Sequence, residues 1–157
     1  MTDKTLTIAY RSLQLDELAA TDRQLIDAAI SATETSYAPY SHFCVGAAVR
    51  LESGVVVVGS NQENVAFPSG TCAERCAMFY AGSRHPHEAP ETIAIAARGT
   101  DGRLTPRPIS PCGACRQVLL QAETRFGRRL RVLLYGSQEV IEISGVSDLL
   151  PFEFVDF

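Results

Sequence analysis

From Asp16 to Thr35, the apolar residues Leu18, Leu25, Ile26, Ala29 and Ile30 recur at helical spacing. Residues three and four apart share one face of a helix, so this spacing predicts an amphipathic helix, stopped by Pro39. Two β-type runs follow, Phe43 to Leu51 and Val55 to Ser60, joined by Glu52-Ser53-Gly54 as a hairpin turn. A polar loop, Asn61 to Gly70, leads to a second helix from near Thr71 to Gly82. Glu91 to Ala97 reads as an apolar strand, Gly99 to Ser110 as a Gly- and Pro-rich loop, and Gly113 to Phe126 as a third helix. Arg131 to Tyr135 and Val140 to Ile143 finish the strands, and Ser147 to Leu150 forms a terminal helical turn. Thr5 to Leu13 favours β structure without an assignable role. Alternating helices and strands with one tight hairpin predict a mixed sheet covered by helices on both faces.

A chain of 157 residues, 46% of them hydrophobic, suits one domain (1–157) with a proper core. No apolar run approaches the roughly 20 residues of a membrane span. Met1 to Thr7 is polar and lacks the basic start and apolar stretch of a signal peptide, so a cytoplasmic protein is expected. A net charge of -4 argues against a polyanionic partner, nucleic acid included. The one basic cluster, Arg125 to Arg131, is placed where cations complement a helix end.

The five cysteines change the picture. An odd number in a chain of this size points to metal binding, chemistry or core packing rather than a disulfide framework. Cys72-Ala73-Glu74-Arg75 and Pro111-Cys112-Gly113-Ala114-Cys115-Arg116 both fall where a loop enters a helix. There, exposed amides and the positive helix end favour thiolates. Three such thiols close three corners of a zinc tetrahedron and leave one for water, the arrangement of a catalytic rather than a structural site. Glu74 is then a candidate proton carrier. Arg75 or Arg116 would offset the negative charge of zinc with three thiolates, although for Arg116 plain surface solvation accounts for the residue equally well. Alone, Cys112-x-x-Cys115 also fits a redox dithiol, but that reading leaves Cys72 and Glu74 without a role. Cys44 and Cys76 read as core residues. His85 and His87 read as exposed residues beyond a helix end.

These segments share the signature of zinc deaminases, a Cys or His followed by Glu and later by P-C-x-x-C. The resemblance is to the small, homotetrameric class of cytidine deaminases, and it extends past the metal segments. Pro39-Tyr40-Ser41-His42-Phe43-Cys44-Val45-Gly46-Ala47-Ala48 resembles that family's P-Y-S-x-F-x-V-G-A-A. Asn61-Gln62-Glu63-Asn64 resembles its N-x-E-N, and Leu149 to Phe154 its L-L-P-x-x-F ending.

The resemblance implies a three-layer α/β/α sandwich around a mixed five-stranded sheet. It implies zinc held by Cys72, Cys112 and Cys115, with Glu74 moving protons between water, the cytosine ring and the leaving amine. Asn61 and Glu63 would bind the ribose, Phe43 would stack near the pyrimidine, and Ala73 would touch the substrate. Phe154 would reach a neighbouring subunit's pocket. The implied activity is deamination of cytidine and deoxycytidine in pyrimidine salvage. Three features depart from the pattern: Phe67 stands where many relatives have Tyr, and neither the first dozen residues of the N-terminal extension (1–14) nor the loop Gly99 to Pro108 has a counterpart. The rival readings are a deaminase of a nucleoside antibiotic such as blasticidin S, a nucleic-acid deaminase, a redox dithiol protein and a structural-zinc binding module. A nucleic-acid deaminase usually has His in place of Cys72.

Overall fold

The computed structural model describes residues 1–155. The last two positions of the domain span, Asp156 and Phe157, lie outside the described residues. In chain order the elements are β1 (Arg11–Leu13), α1 (Ala20–Ala32), β2 (Cys44–Leu51), β3 (Val56–Ser60), α2 (Ala73–Arg84), β4 (Pro90–Arg98), α3 (Gly113–Phe126), β5 (Arg131–Tyr135) and β6 (Val140–Ile143). The strands form one sheet in the order β1-β6-β5-β4-β2-β3. Among the paired strands of the described residues, β4 and β5 are the parallel pair, in the register Thr92↔Arg131 to Ile95↔Leu134. A parallel pair needs a crossover of a dozen residues or more, and α3 supplies it.

Side-chain alternation along β4 sorts the layers. Ile93 and Ile95 pack with Ala47, Val49, Ala77 and Leu119 beneath α2 and α3. Ala94 and Ala96 face the other way and pack with Ala48, Leu25, Ile26 and Ala29 beneath α1. The small side chains on that second face let α1 lie close. At Gly46 a Cβ would sit 2.1 Å from the Ala29 carbonyl oxygen, so only glycine fits. The result is the three-layer α/β/α sandwich.

The sheet has six strands, one more than the family resemblance implied. The extra strand comes from the N-terminal extension, whose residues Arg11–Leu13 pair antiparallel with Glu142 to Val140 of β6. Of the β-favouring stretch Thr5 to Leu13, only these last three residues are strand. The Arg11 guanidinium grips the buried Glu142 carboxylate and fixes the register. The long helical run also divides, into 3-10 turns at Leu15–Glu17 and Thr33–Thr35 flanking α1.

The basic cluster is not simply a solvated helix end. Arg131 lies on β5 and pairs with the buried carboxylates of Asp22 and Glu142. Arg128 bonds Glu52 at 2.6 Å and Glu91 at 3.3 Å, and Arg125 donates to the Pro86 carbonyl at 2.7 Å. Local acceptors therefore occupy much of this charge. Among the described residues, no helix is long and apolar enough to cross a membrane.

Candidate active site

Two helices on one face of the sheet aim their N-termini at the same corner. Cys72 is the N-cap of α2 and Cys112 the N-cap of α3, both in extended backbone, and Cys115 lies in the first turn of α3. Gly59 of β3 makes the close docking of α2 possible. A Cβ there would meet the Ala77 amide nitrogen at 2.4 Å and the Ala73 carbonyl oxygen at 2.8 Å. The Cys72 and Cys112 sulfurs come to 3.9 Å, and those of Cys112 and Cys115 to 3.4 Å. All three sulfurs lie within 4.8 Å of one another.

This spacing fits a metal. Zinc–sulfur bonds of about 2.3 Å at tetrahedral angles put the sulfurs about 3.8 Å apart. Soft thiolates select zinc over hard cations. Among the described residues, Cys72, Cys112 and Cys115 form the one Cys, His and carboxylate cluster of metal-binding geometry, and it offers three ligands rather than four.

The electrostatics of the corner divide the thiols. A hydrogen bond from the Cys115 thiol, opposed by burial but assisted by Arg75, brings Cys72 down to about 5. Cys115, donating that bond from a buried position, is pushed up. Arg75 extends a guanidinium nitrogen to within 3.9 Å of the Cys72 sulfur. Glu74 is 4% exposed, and that burial raises its pKa. A buried carboxyl group with a raised pKa beside a metal site is suited to pass protons. Burial likewise raises the pKa of the half-buried Cys76. Cys44 is also half-buried, so neither cysteine is a deep core residue.

Beside Cys72 opens a cleft of about 480 Å³, lined among others by Asn61, Glu63, Tyr40, Phe67 and Arg75. Asn61 and Glu63 thus share a cavity with a metal-ligand candidate, and both side chains also brace its walls. The Asn61 amide accepts from Val45 N–H at 2.8 Å and donates to the Phe43 carbonyl at 3.0 Å, which fixes the start of β2. Each end of that amide retains capacity for one more bond. Glu63 accepts from the amides of Tyr40 at 2.9 Å and Ser41 at 3.2 Å. The Ser41 hydroxyl and then the Tyr40 amide hold its pKa below the ordinary carboxylate value. The next residue, His42, adopts a left-handed backbone, φ 53°, as the chain turns into β2.

Phe43 is half-buried and outside the cleft lining, and Ala73 is fully buried at the start of α2. Phe154 is 66% exposed, and its carbonyl accepts from the Gln117 side chain at 2.8 Å. Tyr40, quoted in the sequence only as part of a motif, forms an edge-to-face pair with Phe67 at 6.1 Å across the cleft mouth. Aromatic residues on two separate loops gave no periodic signal by which to pair them.

The model of the cytidine and deoxycytidylate deaminase zinc-binding region matches residues 19–126, which span both cysteine segments. The chain belongs to the cytidine and deoxycytidylate deaminase family. It is 42% identical to a cytidine deaminase of Halalkalibacterium halodurans, over 85% of this chain and 94% of the relative. A cytidine deaminase of Sporosarcina psychrophila is 41% identical, over 83% of this chain and 89% of that one. Among solved structures, the cytidine deaminase of Burkholderia pseudomallei superposes with a TM-score of 0.72 at 39% identity, covering 83% of this chain and 97% of that one. The Mycobacterium tuberculosis cytidine deaminase gives 0.66 at 32% identity, covering 85% and 96%. Membership in this deaminase family makes the protein a hydrolytic deaminase and accounts for the three-thiol corner. A redox dithiol would need neither Cys72 nor a buried acid beside it.

Proposed function

We propose that this protein hydrolyses cytidine and deoxycytidine to uridine and deoxyuridine, releasing ammonia. The observation that carries the reading is the buried Glu74 set beside three thiols of zinc-binding geometry, with Asn61 and Glu63 in the adjoining cleft. Cys72, Cys112 and Cys115 would hold zinc, which supplies the Lewis acidity that makes water a nucleophile near neutral pH. Glu74 takes a proton from the attacking water as oxygen bonds to carbon 4 of cytosine, and gives it to the adjacent ring nitrogen. Glu74 then carries the water's second proton to the amino group, the carbon–nitrogen bond breaks, and ammonia departs. Burial serves the first step, because a carboxylate with a raised pKa is a better proton acceptor than an ordinary one.

The remaining hydrogen-bonding capacity of Asn61 and Glu63 takes the ribose hydroxyls, while Phe43 and Ala73 flank the pyrimidine. Residues 1–157 act as one catalytic domain in a cytoplasmic salvage enzyme. The working form is a homotetramer in which Phe154 enters a neighbour's site. The exposed Phe79, Tyr80 and Phe154 support that assembly, since large aromatic groups left in water mark a surface that a partner covers. Cytidine, deoxycytidine, blasticidin S and free cytosine should be assayed for ammonia release by protein of known zinc content. Turnover of the two nucleosides far above the other compounds is expected, and preference for blasticidin S would replace the reading with its rival.

A further inference from the structure

The two residues directly after Cys115 hold the C-terminal segment. Arg116 donates from Nε to the Pro111 carbonyl at 2.8 Å and from Nη1 to the Leu149 carbonyl at 2.7 Å. Pro111 immediately precedes Cys112, and Leu149 ends the 3-10 turn Val146–Leu149. One planar guanidinium therefore joins the loop that presents two candidate ligands to the root of the C-terminal segment. The next residue, Gln117, donates to the Phe154 carbonyl at 2.8 Å. Further along α3, the buried Glu123 accepts from Val146 N–H at 2.8 Å and Ser147 N–H at 3.2 Å. Side chains of α3 thus hold the segment at its start, at Leu149 and at Phe154.

We propose that Arg116 and Gln117 are positioning residues that fasten the C-terminal segment to the metal-bearing turn, so that α3 sets where Phe154 sits. Arg116 does so because its fork satisfies two carbonyls at fixed separation, which a lysine ammonium on a flexible stem does not reproduce. Neither residue touches the reacting atoms. The inference rests on the deaminase reading only for its kinetic consequence, since the docking of the segment can be measured without turnover.

The test uses the full-length zinc-loaded protein and the variants Gln117→Ala and Arg116→Lys. It measures hydrogen exchange of residues 149–155, zinc transfer to a chromogenic chelator, and KM and kcat for cytidine. Loss of a hydrogen bond of about 0.5–1.5 kcal/mol corresponds to roughly a 2- to 10-fold change. Gln117→Ala should accelerate exchange near Phe154 and raise KM by that factor, with zinc content full and kcat within about twofold. Arg116→Lys should accelerate exchange at Leu150 to Phe152 and release zinc faster. Parental exchange in both variants would overturn the proposal. So would faster exchange in Gln117→Ala with KM unmoved, which would show a merely structural contact, and so would parental zinc release in Arg116→Lys. If the parent fails to turn over cytidine, the substrate assignment falls, while exchange and zinc release still decide whether α3 fastens the segment.

Discussion

The sulfurs of Cys72 and Cys112 lie 3.9 Å apart although 40 residues separate them, because each caps a helix laid on the same face of the sheet. Their spacing is thus a property of the fold, held by β3, β4 and the docking of α2 against α3. One zinc per chain is expected by elemental analysis. Cys112→Ala should lose it, while Cys44→Ala and Cys76→Ala should retain it, since neither belongs to the cluster. Full occupancy in Cys112→Ala would sink the assignment. Metal binding and folding are coupled, so circular dichroism should accompany the metal measurement.

Glu74→Gln preserves shape but carries no proton. General acid–base groups contribute about 100- to 10,000-fold, and here one residue serves two transfers. Zinc content should survive and kcat should fall by at least about 1,000-fold. Activity within a few-fold of the parent would assign the carboxylate a structural role only.

Much of this arrangement was legible in the chain. α3, β5 and β6 fall where periodicity and turn residues put them, and both cysteine segments sit at helix starts as expected. What escaped was set by tertiary contact. Arg11–Leu13 is too short to announce a strand and exists through Glu142 on β6. Arg131 looked like a helix-end cation, whereas its partners Asp22 and Glu142 come from α1 and β6. Arg116 offered only the choice between charge offset and solvation, because one of its two carbonyl acceptors, Leu149, lies beyond β6 and meets it only in the fold.

The glycine at position 59 should matter to the metal although it touches none. In Gly59→Ala the new methyl would overlap the α2 backbone at Ala77 and Ala73, which cannot move like a flexible side chain. Overpacking of this kind costs about 1–3 kcal/mol. Because the displaced turn carries Cys72 and Glu74, zinc affinity and kcat should fall together with the melting temperature. A variant with lowered stability but parental zinc affinity would show that the strain relaxes elsewhere.

On the opposite face, the buried Asp22 is the hub of a partly exposed ionic cluster, bonding Arg50 at 3.0 Å and pairing with Arg131. Removing Asp22 leaves Arg50 without its acid partner, while Arg131 keeps Glu142 and both arginines reach solvent, so the cost falls below the roughly 3–5 kcal/mol of a fully buried pair, at about 1–3 kcal/mol. Asp22→Ala should therefore lower the urea midpoint substantially. The thiol corner lies across the sheet, so zinc stoichiometry in the folded fraction should stay at one. A change below about 1 kcal/mol would mean that water compensates these arginines in full.

Glu63 separates a nucleoside enzyme from one that acts on a free base. Its carboxylate braces the Tyr40–Ser41 turn and faces the cleft beside Cys72. Hydrogen bonds to charged groups contribute about 1.5–3 kcal/mol, so Glu63→Ala should cost cytidine kcat/KM one to two orders of magnitude. Free cytosine has no sugar to hold, so it should be a poor substrate for the parent and little affected by the change. The pH dependence has a definite sign. The pKa of Glu63 is depressed in the fold by its hydrogen bonds to Ser41 and Tyr40, so as pH falls it is protonated later than an ordinary carboxylate. The ratio of cytidine KM between Glu63→Gln and the parent should accordingly stay constant from neutral pH down to about 5, above the ordinary carboxylate values. A ratio that collapses across that interval would mean that the Glu63 pKa is raised rather than lowered. Comparable kcat/KM for cytosine and cytidine in the parent would remove the ribose from the recognition altogether.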